Sequence, residues 1–152
     1  MKFPASVACS APTRIDLAGG TLDIWPLYHL LGNAPTLNAA INLFATVKIK
    51  TLKSRTISVI SRDLNLKARF ASIDMLPESH PFSLIFKTIR FYQPQTGMEV
   101  ITSCQAPAGS GIGGSSALAI ALHGALNRLI QTGYSRYQLI EIAKNIETQI
   151  IN

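Results

Sequence analysis

The stretch Pro107-Ala108-Gly109-Ser110-Gly111-Ile112-Gly113-Gly114-Ser115-Ser116-Ala117 is the most informative part of the sequence. It follows an apolar segment, residues 98–104, that predicts a strand, and it precedes a run, about 115–130, that is apolar nearly all round and predicts a buried helix. Because glycines lack Cβ atoms, their backbone N–H groups can converge on an anion, and the helix N-terminus adds its partial positive charge. The pattern predicts a phosphate-binding loop.

Three other loop types share part of this pattern. A Walker loop needs Gly-Lys-Ser/Thr at its end, but Gly114 is followed directly by Ser115, so this type fails. The Rossmann spacing G-x-G-x-x-G is met by Gly109, Gly111 and Gly114, yet residues 126–151 predict a turn and a helix where that fold needs a strand ending in an acidic residue. A Rossmann turn and a plain glycine-rich structural turn stay open as weaker alternatives.

The remaining segments predict one α/β domain with a two-layer α+β arrangement. Strands are expected at 7–10, 15–18, 37–52, 56–61 and 64–71, and a short helix at 23–31. Ser79 and Pro81 predict the start of another helix, whose apolar residues repeat at helical spacing: Phe82, Ile85, Phe86 and Ile89. Ser135 and Gln138 predict a capping box for the last helix. The buried stripe of that helix is predicted at Leu139, Ile142, Ala143, Ile146 and Ile150.

The charge distribution argues against a nucleic-acid partner. The chain of 152 residues is 47% hydrophobic and 14% charged, which excludes bulk disorder, and its net charge is +6. The entire excess lies in residues 48–90, with nine cations and three anions. Polar residues alternate with apolar ones there, as in Val47-Lys48-Ile49-Lys50. We therefore interpret the basic segment as the solvated face of a half-buried antiparallel sheet.

Three further features predict a soluble, reduced, cytoplasmic protein without a membrane partner. The longest nearly apolar stretch, residues 117–126, is about half of the ~20 residues that span a bilayer. Cys9 and Cys104 show no CxxC or Cys/His ligand spacing. The segment between Lys2 and Cys9 is too short, and is interrupted by Pro4, so it does not predict a secretory signal.

A second motif, Ala11-Pro12-Thr13-Arg14-Ile15-Asp16-Leu17-Ala18-Gly19-Gly20-Thr21-Leu22-Asp23, lies near the N-terminus. With the loop at 107–117 it resembles the GHMP kinases, the superfamily of galactokinase, homoserine kinase, mevalonate kinase and phosphomevalonate kinase. The A-P-x-R-x-x-L-x-G-G form resembles the heptose-phosphate kinase and fucokinase branch, whereas galactokinases carry Glu-His in place of Gly20-Thr21. A third stretch, Ile142-Ala143 through Ile146-Glu147, resembles the helix that carries the family's magnesium-binding glutamate. The resemblance spans the whole chain and implies a fold like that of ribosomal protein S5 domain 2.

The resemblance implies ATP and Mg²⁺ as cofactors, with residues 107–117 as the ATP-binding loop. The Ser116 hydroxyl, with Ser115 close by, and the Glu147 carboxylate would hold the metal, which usually takes one or two protein oxygens besides water and phosphate. At about 100° per residue, Glu147 falls at the border of the buried stripe and can reach inward. The alternatives are that both serines only cap the helix and that Glu147 is a solvated charge.

The first motif would serve the acceptor and the transferring phosphate. Asp23, with Gly19 and Gly20, resembles the family's acceptor-binding residues, and the alternative for Asp23 is a helix N-cap. Arg14 resembles the catalytic cation near the transferring phosphate, because a guanidinium charge is permanent and forked. It could instead only pair with Asp16. The three histidines, His29, His80 and His123, show no ligand spacing and are given no role.

The family's acid–base residue has no candidate in this sequence. In the family, the helix with the metal glutamate is followed by a Gly-rich segment that holds an aspartate, and then by a second domain. This sequence ends at Asn152, and no aspartate follows Asp74. We therefore predict the N-terminal, ATP-binding domain of a GHMP kinase over residues 1–152, without the C-terminal domain and inactive alone. A missing C-terminal half or a second copy of the chain is the expected macromolecular partner.

The leading functional prediction is transfer of the ATP γ-phosphate to a hydroxyl of a small-molecule sugar or sugar phosphate of the heptose, fucose or galactose type. Two alternatives remain. One is a mevalonate-type GHMP kinase, and the other is a noncatalytic nucleotide- or RNA-binding module or partner subunit that uses the basic segment at 48–90. Salt-sensitive RNA binding without nucleotide binding would favour the second alternative.

Overall fold

The computed structural model describes residues 4–20, 22, 26–32 and 35–151, without the side chains of residues 28, 29 and 149–151. The described elements are, in chain order, β1 (Ser6–Ala18), α1 (Leu27–Leu31), β2 (Leu37–Leu52), β3 (Ile57–Ser61), β4 (Leu66–Phe70), a 3₁₀ turn (Ile73–Met75), α2 (Ser83–Tyr92), β5 (Gly97–Cys104), α3 (Gly114–Ile130) and α4 (Arg136–Ile151). The five strands form one sheet, which confirms the predicted mixed α/β fold.

The strand order in the sheet is β1-β2-β5-β3-β4. Neighbouring strands are antiparallel except for β3 and β5, which run parallel and place Ser61 opposite Thr102. The last strand in the chain thus lies in the middle of the sheet. The glycine-rich loop leaves directly from the end of this central strand.

Alternation along β2 separates a buried face of the sheet from an exposed one. Ala45, Val47 and Ile49 are fully buried, whereas Lys48 and Lys50 between them are exposed. The helix α3 packs against β1 and β2, on the buried face. Each fully buried Val or Ile side chain stabilises the fold by about 1.5–3 kcal/mol relative to an exposed one. The alternation predicted for residues 47–50 is confirmed, and the two basic side chains of this stretch lie on the outer face.

The helices close the other side of this core. In and before α2 the predicted apolar residues Phe82, Ile85, Phe86 and Ile89 are all buried. α3 is buried on most of its circumference, as predicted, and α4 packs against both α2 and α3. Ser135 and Gln138 form the predicted capping box: the Ser135 N–H donates to the Gln138 side-chain oxygen at 2.9 Å, and the Gln138 N–H donates to Ser135 Oγ at 3.4 Å. None of the helices in the described ranges is long and apolar enough to cross a membrane.

The prediction of two short strands at 7–10 and 15–18 is wrong, because β1 is one strand of 13 residues. Pro12 lies within this strand, although proline cannot donate a hydrogen bond to a ladder. However, β1 is an edge strand, and shifts of register between Pro12 and Arg14 and between Asp16 and Ala18 accommodate the irregular residues.

The prediction that Ser79 and Pro81 open the second helix is also wrong, since α2 begins at Ser83. The turn before it is held by side chains instead: the His80 N–H donates to Ser83 Oγ at 3.0 Å, and the Phe82 N–H donates to His80 Nδ1 at 3.1 Å. Of the helix predicted at 23–31, residues 23–25 lie outside the described residues. The described part, α1, ends at Leu31, as predicted, but it begins only at Leu27, after Pro26.

Candidate active site

The glycine-rich loop has an open, left-handed backbone. Gly109, Gly111 and Gly113 have φ angles of 75°, 72° and 73°, a region that side chains with a Cβ rarely adopt. A Cβ placed on Gly109 or Gly111 would meet no atom of the described residues within 4 Å. The loop is therefore not packed shut as a plain structural turn would be. After α3 the described chain continues into α4 and adds no strand, so the Rossmann alternative is wrong.

The helix α3 begins at the loop with its first backbone N–H groups uncapped by side chains of the described residues. Gly113 is the N-cap residue, and the Ala117 N–H donates to the Gly113 carbonyl at 2.9 Å. Ser115 and Ser116 therefore lie inside the first turn, and the alternative that they cap α3 is wrong. A left-handed Gly113 lets the helix start before either serine. The uncapped N–H groups and the helix dipole favour an anion at this position.

A second helix brings a carboxylate to the same turn. The hydroxyls of Ser115 and Ser116 both donate to Glu147 Oε1, each at 3.4 Å. Burial raises the pKa of the Glu147 carboxyl, while the hydrogen bonds from Ser116 and Ser115 and the charge of Arg14 act in the opposite direction. Glu147 is half-buried and faces α3, so the alternative of a solvated helix charge is wrong.

Arg14 lies beside the loop and pairs with Asp16 at the same time. Its backbone N–H donates to the Ile112 carbonyl at 3.1 Å, which ties β1 to the loop. Its side-chain Nε donates to Asp16 Oδ1 at 3.1 Å, and its Nη1 is 3.4 Å from the position of a Cβ on Gly113. Arg14 thus lies beside the loop and also forms the ion pair with Asp16, while its catalytic role stays a prediction.

The glycines of the first motif are required by close contacts. A Cβ on Gly19, which has a φ of 75°, would lie 2.6 Å from the Pro35 carbonyl oxygen. A Cβ on Gly20 would lie 2.7 Å from the Cβ of Asp16. Gly20 thus leaves room for the carboxylate that holds Arg14. The acceptor role predicted for both glycines stays a prediction, and Asp23 lies outside the described residues.

A cavity of about 450 Å³ opens between the loop and a wall that the sequence did not predict. The loop contributes residues 106–111 and 113–116 to its lining. The wall contributes Ser61, Asp63, Leu64, Phe82 and Leu84. No local pattern indicated this wall, since it forms only where β3 pairs with β5 and where the turn before α2 folds over them.

Two metal-related observations complete the site. No group of three or more His, Cys, Asp or Glu side chains comes together within the ranges that the structure describes. Ser115, Ser116 and Glu147 instead offer two hydroxyls and one carboxylate at the edge of the loop. This small set of hard oxygens fits Mg²⁺, which retains water and takes further oxygens from phosphates.

Comparison with known proteins agrees with this geometry. The family model "GHMP kinases N terminal domain" matches residues 83–152. A D-glycero-alpha-D-manno-heptose 7-phosphate kinase of Campylobacter jejuni is 27% identical over 150 residues, which are 95% of this chain and 44% of that protein. The crystal structure of a D-glycero-D-manno-heptose 1-phosphate kinase from Bacteroides thetaiotaomicron matches with 30% identity and a TM-score of 0.84, over 95% of this chain and 48% of that chain.

A more distant structure, Lactococcus lactis galactokinase complexed with galactose, shares the fold at 17% identity and a TM-score of 0.78. The match includes 97% of this chain and 39% of the galactokinase chain. The fold and the glycine-rich loop agree with these matches: residues 83–152 correspond to the N-terminal domain of the GHMP kinases, the family that the sequence predicted. The chain's similarity to two heptose-phosphate kinases is consistent with that branch of the family. The chain spans less than half the length of these relatives.

Proposed function

We propose that the complete protein transfers the γ-phosphate of ATP to a hydroxyl of a sugar or sugar phosphate, with a heptose phosphate as the leading acceptor. The observation that carries this proposal is the shared contact of Ser115 and Ser116 with Glu147 at the first turn of α3, beside the open loop. A carboxylate and two hydroxyls next to uncapped N–H groups are suited to a phosphate with its counter-cation.

The loop would bind the phosphates of ATP through its backbone. Left-handed residues at Gly109, Gly111 and Gly113 would let neighbouring N–H groups converge on a phosphate, and the start of α3 would add its dipole. Phosphoryl transfer depends mainly on positioning and on stabilising the charge of the phosphate oxygens. A cradle of N–H groups provides both functions without a titratable residue.

The metal would be held by Ser116 and Glu147, with Ser115 supporting the carboxylate. When bound, Mg²⁺ neutralises charge on the phosphate oxygens during transfer. Arg14 would add a permanent positive charge near the transferring phosphate, and Asp16 keeps its guanidinium oriented. The raised pKa of Glu147 means that a cation close to this carboxylate would relieve an unfavourable buried charge.

The acceptor would lie near Gly19, Gly20 and Asp23, where the first motif leaves β1. Its hydroxyl oxygen would form a bond to the γ-phosphorus as the bond to the β-phosphate oxygen breaks, and its proton would pass to a base. No aspartate follows Asp74 in this sequence. We infer that the base lies outside residues 1–152, in a further part of the complete protein or in a partner chain. The heptose phosphate is favoured by the names of the two relatives.

The test is ADP release by the complete gene product with MgATP and a panel of acceptors: heptose 7-phosphate, heptose 1-phosphate, fucose, galactose and mevalonate. We expect a heptose phosphate to stimulate release most strongly. Stimulation by mevalonate alone would assign the protein to the mevalonate-type alternative. Absence of MgATP binding in a calorimetric titration would contradict the phosphate-loop interpretation itself.

A further inference from the structure

The segment of β1 from Arg14 to Asp16 lies between two irregularities of the sheet. The register of β1 against β2 shifts between Pro12 and Arg14 and again between Asp16 and Ala18. Such shifts bend a strand and re-aim its side chains, and they are common next to active sites. Arg14 and Asp16 are two residues apart, so their side chains lie on the same side of the strand. The Arg14 N–H donates to the Ile112 carbonyl at 3.1 Å, which places this pair of charges next to the glycine-rich loop.

Two contacts fix the guanidinium of Arg14. Its Nε donates to Asp16 Oδ1 at 3.1 Å, and a Cβ on Gly113 would lie 3.4 Å from its Nη1 and 3.9 Å from its Cζ. Gly113 is the N-cap residue of α3, so the guanidinium lies beside the start of that helix. The contact with Asp16 therefore holds one edge of a charged group whose other edge borders the loop.

The backbone of the first motif limits where the Asp16 carboxylate can move. A Cβ on Gly20 would lie 2.7 Å from Asp16 Cβ and 3.0 Å from Asp16 Oδ2, so the turn at Gly20 is close to this side chain. The side chains of Arg14 and Asp16 are 37% and 28% exposed, and an ion pair with this exposure contributes little to stability. The pair therefore adds little to folding, but it is placed where it can act on a phosphate at the loop.

We propose that Asp16 is a positioning residue for phosphoryl transfer: it holds the Arg14 guanidinium in the orientation that stabilises charge on the transferring phosphate. The inference rests on the proposed function, which gives this charge to Arg14. The negative charge of Asp16 by itself opposes an anion at the loop, since like charges repel. The orientation that Asp16 gives to the cation outweighs this repulsion, because a misplacement of about 1 Å can lower a rate about a hundredfold.

Asp16→Asn in the complete gene product tests this balance. The substitution removes the negative charge and keeps an oxygen that can accept from Arg14 Nε. We expect kcat for ADP release with heptose 7-phosphate to fall about tenfold, while the Kd for MgATP stays the same or decreases because the repulsion is gone. Loss of repulsion alone predicts a faster reaction, and a purely structural role predicts weaker MgATP binding. An equal or higher kcat, or a loss of kcat that accompanies an equal loss of MgATP affinity, would overturn the proposal.

A double-mutant cycle with Arg14→Ala identifies the residue through which Asp16 acts. In the Arg14→Ala background, Asp16→Asn should cause no further loss of kcat, because the group that Asp16 positions is absent. A further loss of the same size would contradict the positioning role. The control is Glu78→Gln, which breaks another guanidinium–carboxylate pair, that of Glu78 with Arg90 at 2.7 Å. Neither of these two residues lines the cavity, so kcat and MgATP affinity should stay unchanged.

A spectroscopic readout distinguishes failure of this inference from failure of the proposed function. By NMR, with the signal assigned from Arg14→Lys, the Arg14 Nε–H should exchange with water about tenfold faster in Asp16→Ala than in the wild type, the effect of one lost hydrogen bond to a charged group. If the wild type phosphorylates an acceptor but neither the exchange rate nor kcat responds to Asp16, the positioning role is wrong and the kinase proposal stands. If the wild type binds no MgATP and phosphorylates no acceptor, both are wrong.

Discussion

Two titratable groups beside or within α3, Glu147 and His123, differ in their surroundings. At the first turn, Glu147 meets Ser115 and Ser116 beside the open loop. About two turns further on, His123 is fully buried, and its Nδ1 lies 3.1 Å from the Tyr92 hydroxyl. Burial favours the neutral form at both places: it raises the pKa of Glu147 and lowers the pKa of His123 to about 4.

The difference lies in what surrounds each group. Glu147 receives hydrogen bonds from two hydroxyls and lies in the field of Arg14, and both effects partly offset the rise in its pKa that burial causes. His123 contacts the ring and the hydroxyl of Tyr92, and its Nε2 has no hydrogen-bond partner in the part of the chain that the structure describes. Polar neighbours therefore oppose the desolvation of Glu147, whereas nothing of this kind opposes the desolvation of His123.

The largest effect is expected for Glu147→Gln in the complete protein. Loss of the carboxylate should lower the rate of phosphoryl transfer about a thousandfold, since a metal-held charge contributes several kcal/mol to the transition state. The melting temperature without ligand should stay the same or rise. The folded pKa of Glu147 lies above the unfolded one, so its charged form destabilises the fold at neutral pH and this penalty disappears as pH falls.

Activity assays and thermal melts check this prediction. Glu141→Gln is the matched control, because Glu141 lies on the same helix but pairs with Lys144 at 2.8 Å on the exposed side. It should leave the rate unchanged. A Glu147→Gln variant that melts well below the wild type would show that the carboxylate stabilises α3 and α4 rather than serving a ligand.

His123→Gln should remove part of the acid sensitivity of the fold. Because the pKa of His123 is lowered to about 4, the unfolded chain takes up a proton near its ordinary value of about 6.5 while the folded one does not. Stability is thus lost as pH falls through this window, by up to about 3 kcal/mol by pH 4. Chemical unfolding at several pH values should show a shallower loss in the variant.

Tyr92→Phe is the control for this experiment. It removes the hydroxyl next to His123 but leaves the imidazole buried, so it should lower stability at every pH by about 1 kcal/mol and retain the slope. An unchanged slope in His123→Gln would mean that the imidazole is already protonated in the fold.

The smallest effects are expected from two alanine substitutions with opposite signs. Gly111→Ala places a Cβ on a residue with a φ of 72°, which costs about 1–2 kcal/mol and should weaken nucleotide binding about tenfold.

Gly124→Ala lies inside α3, where the new Cβ would be 3.6 Å from Cys9 Sγ, an ordinary contact. It should stabilise the fold by up to about 1 kcal/mol. Calorimetric titration and thermal unfolding measure the two changes.

The site on α3 was partly predictable because its signals are local. Successive glycines, two serines and an apolar run lie within one stretch, and helical spacing alone indicated that Glu147 borders the buried face. The start of the helix at Gly114 and the resulting loss of the serine caps were not predictable. They depend on the left-handed backbone of Gly113, which glycine allows but does not require.

The opposite wall of the cavity could not be predicted for a different reason. Asp63 and Phe82 come from separate segments, and the parallel pairing of β3 with β5 that brings them toward the loop leaves no trace in local periodicity. The single strand β1 was missed because Pro12 disfavours a central strand, whereas the sheet order places it at an edge. Both the cavity wall and the length of β1 depend on which strands pair, and the paired strands are far apart in the sequence.

The central place of β5 in the sheet has a consequence for biosynthesis. During translation β1 and β2 can pair early, and β3 and β4 can form a separate hairpin. These two hairpins are joined only through β5, so they cannot form one sheet until Cys104, the last residue of β5, has left the ribosome. We expect nascent chains arrested before Gly97 to expose two unfinished strand edges and to need chaperones. The residues that emerge next are those of the glycine-rich loop, so the central strand and this loop leave the ribosome one directly after the other.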